Sequence, residues 1–359
     1  MPSTAPSAAP RRPASGRSSG GAAWSAIGGF LLLPLAAVCL VLAWPQALGL
    51  ERAIGVSQAI AFRGPLLVGG LVLLILSLGV VAIAPARRRL IPWIATGLIA
   101  AFVLAQGGIL AARGLGAGDV PSGAAPDGSI RVMAWNTRGD EPGSPTIAEL
   151  AIEHGADVVV LPETTESMGE EVASLMREAG RPMWVHTRTL DEDYKWTATT
   201  LLISSDLGDY AIDESRGDTE DLPTVVASPV SGEGPTFIAA HPIAPLPSLM
   251  DEWNADLEWL ATQCRGDVVM AGDFNATLDH LSGLGEAGRD FGDCADAARE
   301  AGSGANGTWS AGVPPILASP IDHVMATQQW RARAFEVVTD HDLAGSDHRP
   351  VLAELERVG

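Results

Sequence analysis

Cysteine is scarce in this chain of 359 residues, and over most of its length so is positive charge. Only Cys39, Cys264 and Cys294 occur. No two of them stand in a Cys-x-x-Cys spacing, so a zinc ribbon or a thioredoxin-type redox centre finds no support. Cys264 and Cys294 have two readings: a disulfide in an oxidising compartment, or two small buried apolar side chains in a reducing one. From residue 114 onward, 14 basic side chains stand against 42 acidic ones, a net of −28. A surface so poor in cations repels nucleic-acid phosphates at long range, which counts against a processive or tightly binding nuclease. It does not forbid a metal site that takes a single anion, because the charge of the ion dominates locally. The first 113 residues lack acid instead, with nine arginines and Glu51 alone, a net of +8. No internal repeat is present.

What the first 113 residues do have is apolar length. Segments 22–44, 65–85 and 90–112 carry no charged side chain. Each approaches or exceeds the roughly 20 apolar residues that a bilayer-spanning helix needs. Three such runs in so short a stretch leave no amphipathic partners to cover them as core helices. Arg11, Arg12 and Arg17 precede the first run, and Arg87, Arg88 and Arg89 fill the tight connection between the second and third. Positive charge marks the cytoplasmic side. Three spans then place the N-terminus in the cytoplasm and everything after residue 113 outside the plasma membrane. Polar groups within the runs are too sparse for a transporter, so the module reads as a tether. Residues 1–21 have a disordered composition, and residues 114–128 read as a flexible linker.

From residue 129 the pattern alternates strand, loop and helix. Strands are expected at 130–135, 156–161, 199–203, 224–228, 236–240, 267–271, 322–326, 335–339 and 350–354. Helices are expected at 147–154, 166–178 and 246–263. Many short strands with few helices indicate one α/β domain over 129–359, built as two packed sheets flanked by helices.

Polar side chains gather where these strands end. Asn136 follows the first and Glu163 the second. His241 follows the strand at 236–240, and Asp273 and Asn275 follow the one at 267–271. Asp322 and His323 open another strand, and Asp347 and His348 precede the last. Strand ends joined by loops are where active sites are commonly built. Any one of these residues alone reads as a turn cap, but six positions at six strand mouths are hard to explain that way. Glu163, Asn136 and Asp347 offer the hard oxygen ligands that Mg²⁺, or Mn²⁺ in its place, requires. His348 is the candidate base, since an unperturbed imidazole titrates near neutrality, and Asp322 would orient it. Asp273 and Asn275 lie two residues apart and point the same way on extended backbone. Asp273 would orient a water or assist a leaving group, while Asn275 and His241 would contact phosphoryl oxygens. His323, on the opposite strand face from Asp322, reads as packing. His280 and His341 lie in nearby loops without a comparable context.

The segments Met133-Ala134-Trp135-Asn136, Leu161-Pro162-Glu163, Gly272-Asp273-Phe274-Asn275, Ile321-Asp322-His323 and Ser346-Asp347-His348-Arg349-Pro350 resemble the endonuclease/exonuclease/phosphatase superfamily. So does the run from Ala240 and His241 to Pro245. All occur in that family's order, over residues 129–357. The resemblance implies a four-layered α/β sandwich and Mg²⁺-assisted phosphoester hydrolysis. The plan of three spans and one domain is similar to teicoplanin-resistance-type membrane members. One position departs: many DNA-repair members carry an acid two residues after the first Asn, where this chain has Arg138. Nor does Tyr194 or Tyr210 stand in the context of the repair enzymes' tyrosine. The expected activity is therefore that of a membrane-anchored, extracytoplasmic phosphatase or phosphodiesterase on phosphorylated or lipid-linked substrates. A surface-tethered metal-dependent nuclease is the alternative. A sphingomyelinase-like phosphodiesterase and a catalytically dead binding module complete the range. Specificity is expected from loops 181–196 and 281–307.

Overall fold

A computed structural model describes residues 19–116 and 118–358, with side chains from residue 29 onward except Arg87. The expected cytoplasmic tail falls, up to residue 18, outside the described residues. Among the described residues, four helices come first: α1 (Ser19–Ala43), the short α2 (Val56–Ile60), α3 (Arg63–Ile83) and α4 (Leu90–Arg113). By length and composition, α3 and α4 could each cross a membrane. That is two of the three expected spans. The first coincides with α1, whose described apolar stretch, Gly29–Ala43, is shorter. These helices expose large apolar side chains such as Phe30, Ile75 and Leu104 at 74%, 69% and 75%. Helices apolar on their outer face are not the core helices of a water-soluble domain.

Residues 114–128 do not hang free. Val120 is buried, its N–H donates to Glu336, and Gly116 N–H donates to the carbonyl of Gly302. The buried Arg131 guanidinium holds the carbonyls of Pro121 and Gly123 and pairs with Glu354. The expected flexible linker is thus a strap. Its glycine-rich composition serves close backbone approach: a Cβ on Gly118 would fall 1.8 Å from the carbonyl oxygen of Phe335.

Twelve strands follow, β1 (Ser129–Ala134), β2 (Val158–Pro162), β3 (Met183–Thr189), β4 (Ala198–Ser204), β5 (Tyr210–Ile212), β6 (Val225–Pro229), β7 (Thr236–Ala240), β8 (Val268–Asp273), β9 (Ala295–Asp296), β10 (Asp322–Ala326), β11 (Trp330–Val337) and β12 (Val351–Arg357). They form two six-stranded mixed sheets, ordered β11-β12-β1-β2-β4-β3 and β5-β6-β7-β8-β10-β9. The sheets pack face to face through Val132, Val160 and Leu201 of one and Val225, Phe237 and Val324 of the other. The outer face of the first sheet is covered by α5 (Gly143–Glu153) and α6 (Glu166–Glu178), and that of the second by α7 (Met250–Gln263). The continuous apolar runs of the central strands follow from burial on both faces.

Each sheet has one parallel pair, β1 with β2 and β7 with β8. In each case the connection is a crossover carrying a helix, α5 or α7, as parallel neighbours require. Parallel pairing brings the C-terminal ends of both strands to one edge. Asn136 and Glu163 therefore emerge together from the first sheet, and His241 and Asp273 from the second. In the antiparallel pair of β8 and β10, Asp273 stands directly opposite Asp322. The strand β3, which lies within the expected loop 181–196, is a sheet edge with mostly half-buried side chains. Its mixed Met-Trp-Val-His-Thr-Arg-Thr composition shows no clean alternation.

Candidate active site

At this shared edge the two sheets contribute side chains to one cleft of about 590 Å³. His348 Nδ1 lies 2.9 Å from Asp322 Oδ2, and its Nε2 faces Asp273 Oδ2 at 3.7 Å. The carbonyl of His348 accepts from Trp135 Nε1, and its N–H donates to Ser346 Oγ, which in turn donates to the carbonyl of Asn136. The loop that carries His348 is thereby fixed to the end of β1. Asn136 Nδ2 bridges the sheets, donating to Glu163 Oε1 and to Asp273 Oδ2, each at 3.0 Å. His241 Nε2 lies 4.0 Å from Glu163 Oε1, and its Nδ1 is 3.3 Å from Thr199 Oγ1. Asn275 donates its backbone N–H to Asp273 Oδ1 and its amide to the carbonyl of Pro242.

Three non-glycine residues of this region, Arg138, Glu163 and Asn275, have φ of 51°, 55° and 46°. Left-handed backbone at such residues costs of order 1 kcal/mol or more and persists only where surrounding contacts impose it. Here it turns the Glu163 and Asn275 side chains off the strand direction toward the cleft.

The electrostatics follow from burial. Asp273 is removed from water and faces Asp322, and although His348 counteracts them its pKa is raised to about 7. Burial alone would lower His348, but Asp322 and Asp273 outweigh it and raise the imidazolium to about 10. The expectation that His348 titrates near neutrality therefore does not hold in this arrangement: the carboxylates retain its proton. Burial, reinforced by the His348 charge, lowers His241 to about 3, so that ring is neutral. Glu163 is raised by burial and by Asp347, against the Asn136 amide and His348.

Asn136 turns its amide nitrogen, not its oxygen, to the two carboxylates, while its Oδ1 accepts from Arg138 N–H. Asp347 is half-exposed, accepts from Trp309 Nε1 at 3.0 Å and lies 3.9 Å from Arg138 Nε. Ligating atoms of Asp273, Asp322 and His348 lie within 4.8 Å of one another. The donor chemistry fits a hard divalent cation, since four carboxylates (Glu163, Asp273, Asp322 and Asp347) gather at one cleft against one imidazolium and one exposed guanidinium. His323 packs as expected, with Nδ1 2.7 Å from Asp296 and Nε2 2.9 Å from the Ala276 carbonyl. His341 lies against Trp135, away from the cleft. His280, expected only as a neighbouring loop residue, does line it.

The chain contributes three elements here that its sequence did not announce. Arg349 is fully buried, with a bidentate pair to Asp342 and donors to the carbonyls of Gly307, Ala311 and Val313. It fastens the segment that carries Trp309 beneath the site. Thr199 orients His241. Most unexpectedly, Ser57, Gln58, Ala61 and Phe62, from the connection between α1 and α3, line the cleft. Loop 281–307, expected to shape specificity, contributes no lining residue among those described. Cys294 within it pairs with Cys264 in a disulfide.

The model of the Endonuclease/Exonuclease/phosphatase family matches residues 133–348, well over half of the chain. The chain belongs to this family. Its members are metal-dependent hydrolases of phosphoester bonds, and so is this protein. Among solved structures, the chain is similar to an endonuclease/exonuclease/phosphatase from Beutenbergia cavernae, at 20% identity over 64% of this chain and 72% of that one, with a TM-score of 0.49. A second, from Bacteroides vulgatus, has 16% identity over 64% and 99%, with a TM-score of 0.48. A mannosyl-6-phosphatase from Bacteroides thetaiotaomicron has 17% identity over 63% and 99%, with a TM-score of 0.42. No curated protein sequence matches the chain.

Proposed function

We propose that the protein is a membrane-anchored, Mg²⁺-dependent phosphatase or phosphodiesterase, active outside the plasma membrane on phosphorylated or lipid-linked substrates. One observation carries this reading: the polar cleft at the sheet edges has a wall contributed by the helical module that precedes the catalytic domain. Three spans, through α1, α3 and α4, agree with the arginine clusters at residues 11–17 and 87–89 on one side. The connection 44–62 then lies on the same side as the catalytic domain, as its packing against that domain requires. The disulfide between Cys264 and Cys294 favours an oxidising compartment.

Glu163 and Asp347, with Asn136 orienting the first, would hold the cation. When bound, it supplies positive charge to the phosphoryl oxygens. The remaining work falls to this chain's own groups. His348, the neutral His241 and the Asn275 amide are placed to bind phosphoryl oxygens. Asp273, whose Oδ2 faces the His348 imidazolium, would receive the proton of the attacking water as the bond from phosphorus to the leaving oxygen breaks. Asp322 fixes the His348 ring through Nδ1. The acidic domain disfavours nucleic acid as substrate, with a net charge of −28 after residue 113.

The test is a hydrolysis panel with the full chain in detergent or nanodiscs and Mg²⁺ or Mn²⁺. Plasmid DNA, phosphodiester lipids, prenyl pyrophosphates and sugar phosphates would be compared, with Asp273→Ala and His348→Ala as controls. Metal-dependent turnover of lipid or small phosphoesters that both variants abolish is the expected result. Preferential cleavage of DNA would replace this reading with the nuclease.

A further inference from the structure

The membrane module does more than lead into the catalytic domain; it is clamped to it. Asp279, buried in the loop after β8, receives two hydrogen bonds from Arg63, both 2.9 Å, one from Gln46 at 3.1 Å and an ion pair with Arg113 at 2.7 Å. Arg63 begins α3 and Arg113 ends α4, so a single carboxylate holds both helices at one level. Around it, Arg52 donates to the carbonyls of His280 and Ser282, and His280 Nε2 donates to the Ser57 carbonyl. Gln58 donates to the Pro245 carbonyl at 2.7 Å. The backbones meet so closely that a Cβ on Gly64 would lie 1.7 Å from the carbonyl oxygen of Ile316.

This clamp sets residues 57–62 beside the catalytic groups. Phe62, half-buried, lies with its ring centroid 6.0 Å from that of Trp309, whose Nε1 is bonded to Asp347. Ala61, Ile243 and Leu246 continue an apolar face in the same cleft as Asp273 and His348. Phe62 also immediately precedes α3, one of the two helices long and apolar enough to span a membrane. The cleft thus runs from a charged end to an apolar wall at the foot of that helix.

We propose that residues 57–62 of the membrane module are a specificity wall of the active site, on which Phe62 and Trp309 bind the apolar group of an amphiphilic phosphoester while its phosphate occupies the polar end. This rests on the functional reading above and adds the substrate class. A polar phosphoester would leave Phe62 and Trp309 without a partner, whereas an alkyl or prenyl chain removes their free faces from water. The continuity of the wall with α3 gives such a chain a path from the membrane surface.

Binding and turnover test the two readings separately. Methylphosphonate and hexylphosphonate share one headgroup and differ only in the apolar arm. Their affinities for the full chain in detergent with Mg²⁺ are measured by calorimetry. Hexylphosphonate is expected to bind about tenfold or more tightly. Phe62→Ala should remove most of that preference and leave methylphosphonate within about twofold, whereas Phe62→Leu should keep it. Ala61→Trp, which fills the wall, should abolish it and serves in case Phe62→Ala does not fold. Equal affinities for the two ligands in the wild type, or an equal loss of both in Phe62→Ala, overturn the proposal. Hydrolysis of methyl and hexyl 4-nitrophenyl phosphate is followed in parallel. Absence of any turnover with the binding preference intact would count against the enzymatic reading and not against the wall.

Discussion

Replacing Asp279 by Asn should detach the N-terminal helical module from the catalytic domain without touching the chemistry. The Asp279, Arg63 and Arg113 side chains are 5%, 3% and 11% exposed. Burial would raise the Asp279 carboxyl, but Arg113 and Arg63 outweigh it and hold the group well below the usual carboxylate range. The variant keeps shape and loses the charge, leaving two guanidiniums in a buried space with no counter-ion. Removing one partner from a buried ionic cluster costs about 3–5 kcal/mol, because the remaining charge is uncompensated. At roughly 2–4 °C per kcal/mol for a domain of this size, thermal unfolding of the full chain in detergent should fall by about 6–20 °C. Hydrogen exchange should rise over residues 45–63 first. A triple variant, Asp279→Leu with Arg63→Met and Arg113→Met, should recover most of the loss, since a buried ion cluster and an apolar replacement of similar volume are comparably stable. A shift under about 2 °C for Asp279→Asn, with exchange over 45–63 unchanged, would refute the clamp. A triple variant no better than the single one would refute the electrostatic account of it.

Three further outcomes are expected. Asp322→Asn keeps the shape at His348 but removes the charge that fixes its ring, so kcat should fall by about 10²- to 10⁴-fold; activity within threefold of wild type would contradict the pairing. Acid should loosen the module through His280, whose pKa burial lowers from 6.5 to about 4, with Arg113 and Arg63 adding to the effect and Asp279 and the Ser57 carbonyl opposing it. His280 Nδ1 accepts from Thr277 N–H and its ring lies edge-on to Trp253, so a second proton has no place. The folded pKa is depressed, so this contribution is complete above pH 6.5 and lost as pH falls toward 4. It amounts to about 3 kcal/mol, and His280→Gln should flatten the pH dependence of Tm in that window. Replacing Cys264 and Cys294 together by Ser opens a loop with a sequence separation of 30 and should cost about 3–4 kcal/mol, read as a lower midpoint in denaturant; an unchanged midpoint would mean the bridge contributes nothing.

Much of the catalytic domain is legible along the chain because its signals are local. Buried central strands read as apolar runs, and helix α6 matches the expected 166–178 because Thr165 caps it and accepts from Met168 N–H. The polar residues of the site are legible for a related reason: parallel pairing delivers the ends of β1, β2, β7 and β8 to one edge, so a polar residue after an apolar strand marks the cleft. Edge strands are not legible in this way. In β3 the alternation is blurred because neither face is fully buried, and β9 has only two residues. Protonation at His348 is not legible in the sequence, because an isolated imidazole says nothing about two carboxylates brought in by β8 and β10.

The contribution of residues 57–62 is likewise not legible in any one segment taken alone. Between two apolar runs, Glu51, Arg52 and Arg63 look like charges left at a membrane surface. Gln46 and Gln58 carry no signal of their own. Arg63 and Gln46 take their meaning from Asp279, more than 200 residues away, Gln58 from the Pro245 carbonyl, and Gly64 from Ile316, whose carbonyl leaves no room for a Cβ. Polar groups at the ends of spanning helices are costly unless partnered. Here their partners lie in the catalytic domain, so the geometry of the N-terminal helices and that of the cleft are one constraint. Severing the domain from its helices would uncover Asp279 and His280 and remove the wall at Phe62. The isolated domain is therefore expected to differ from the full chain in both stability and substrate preference.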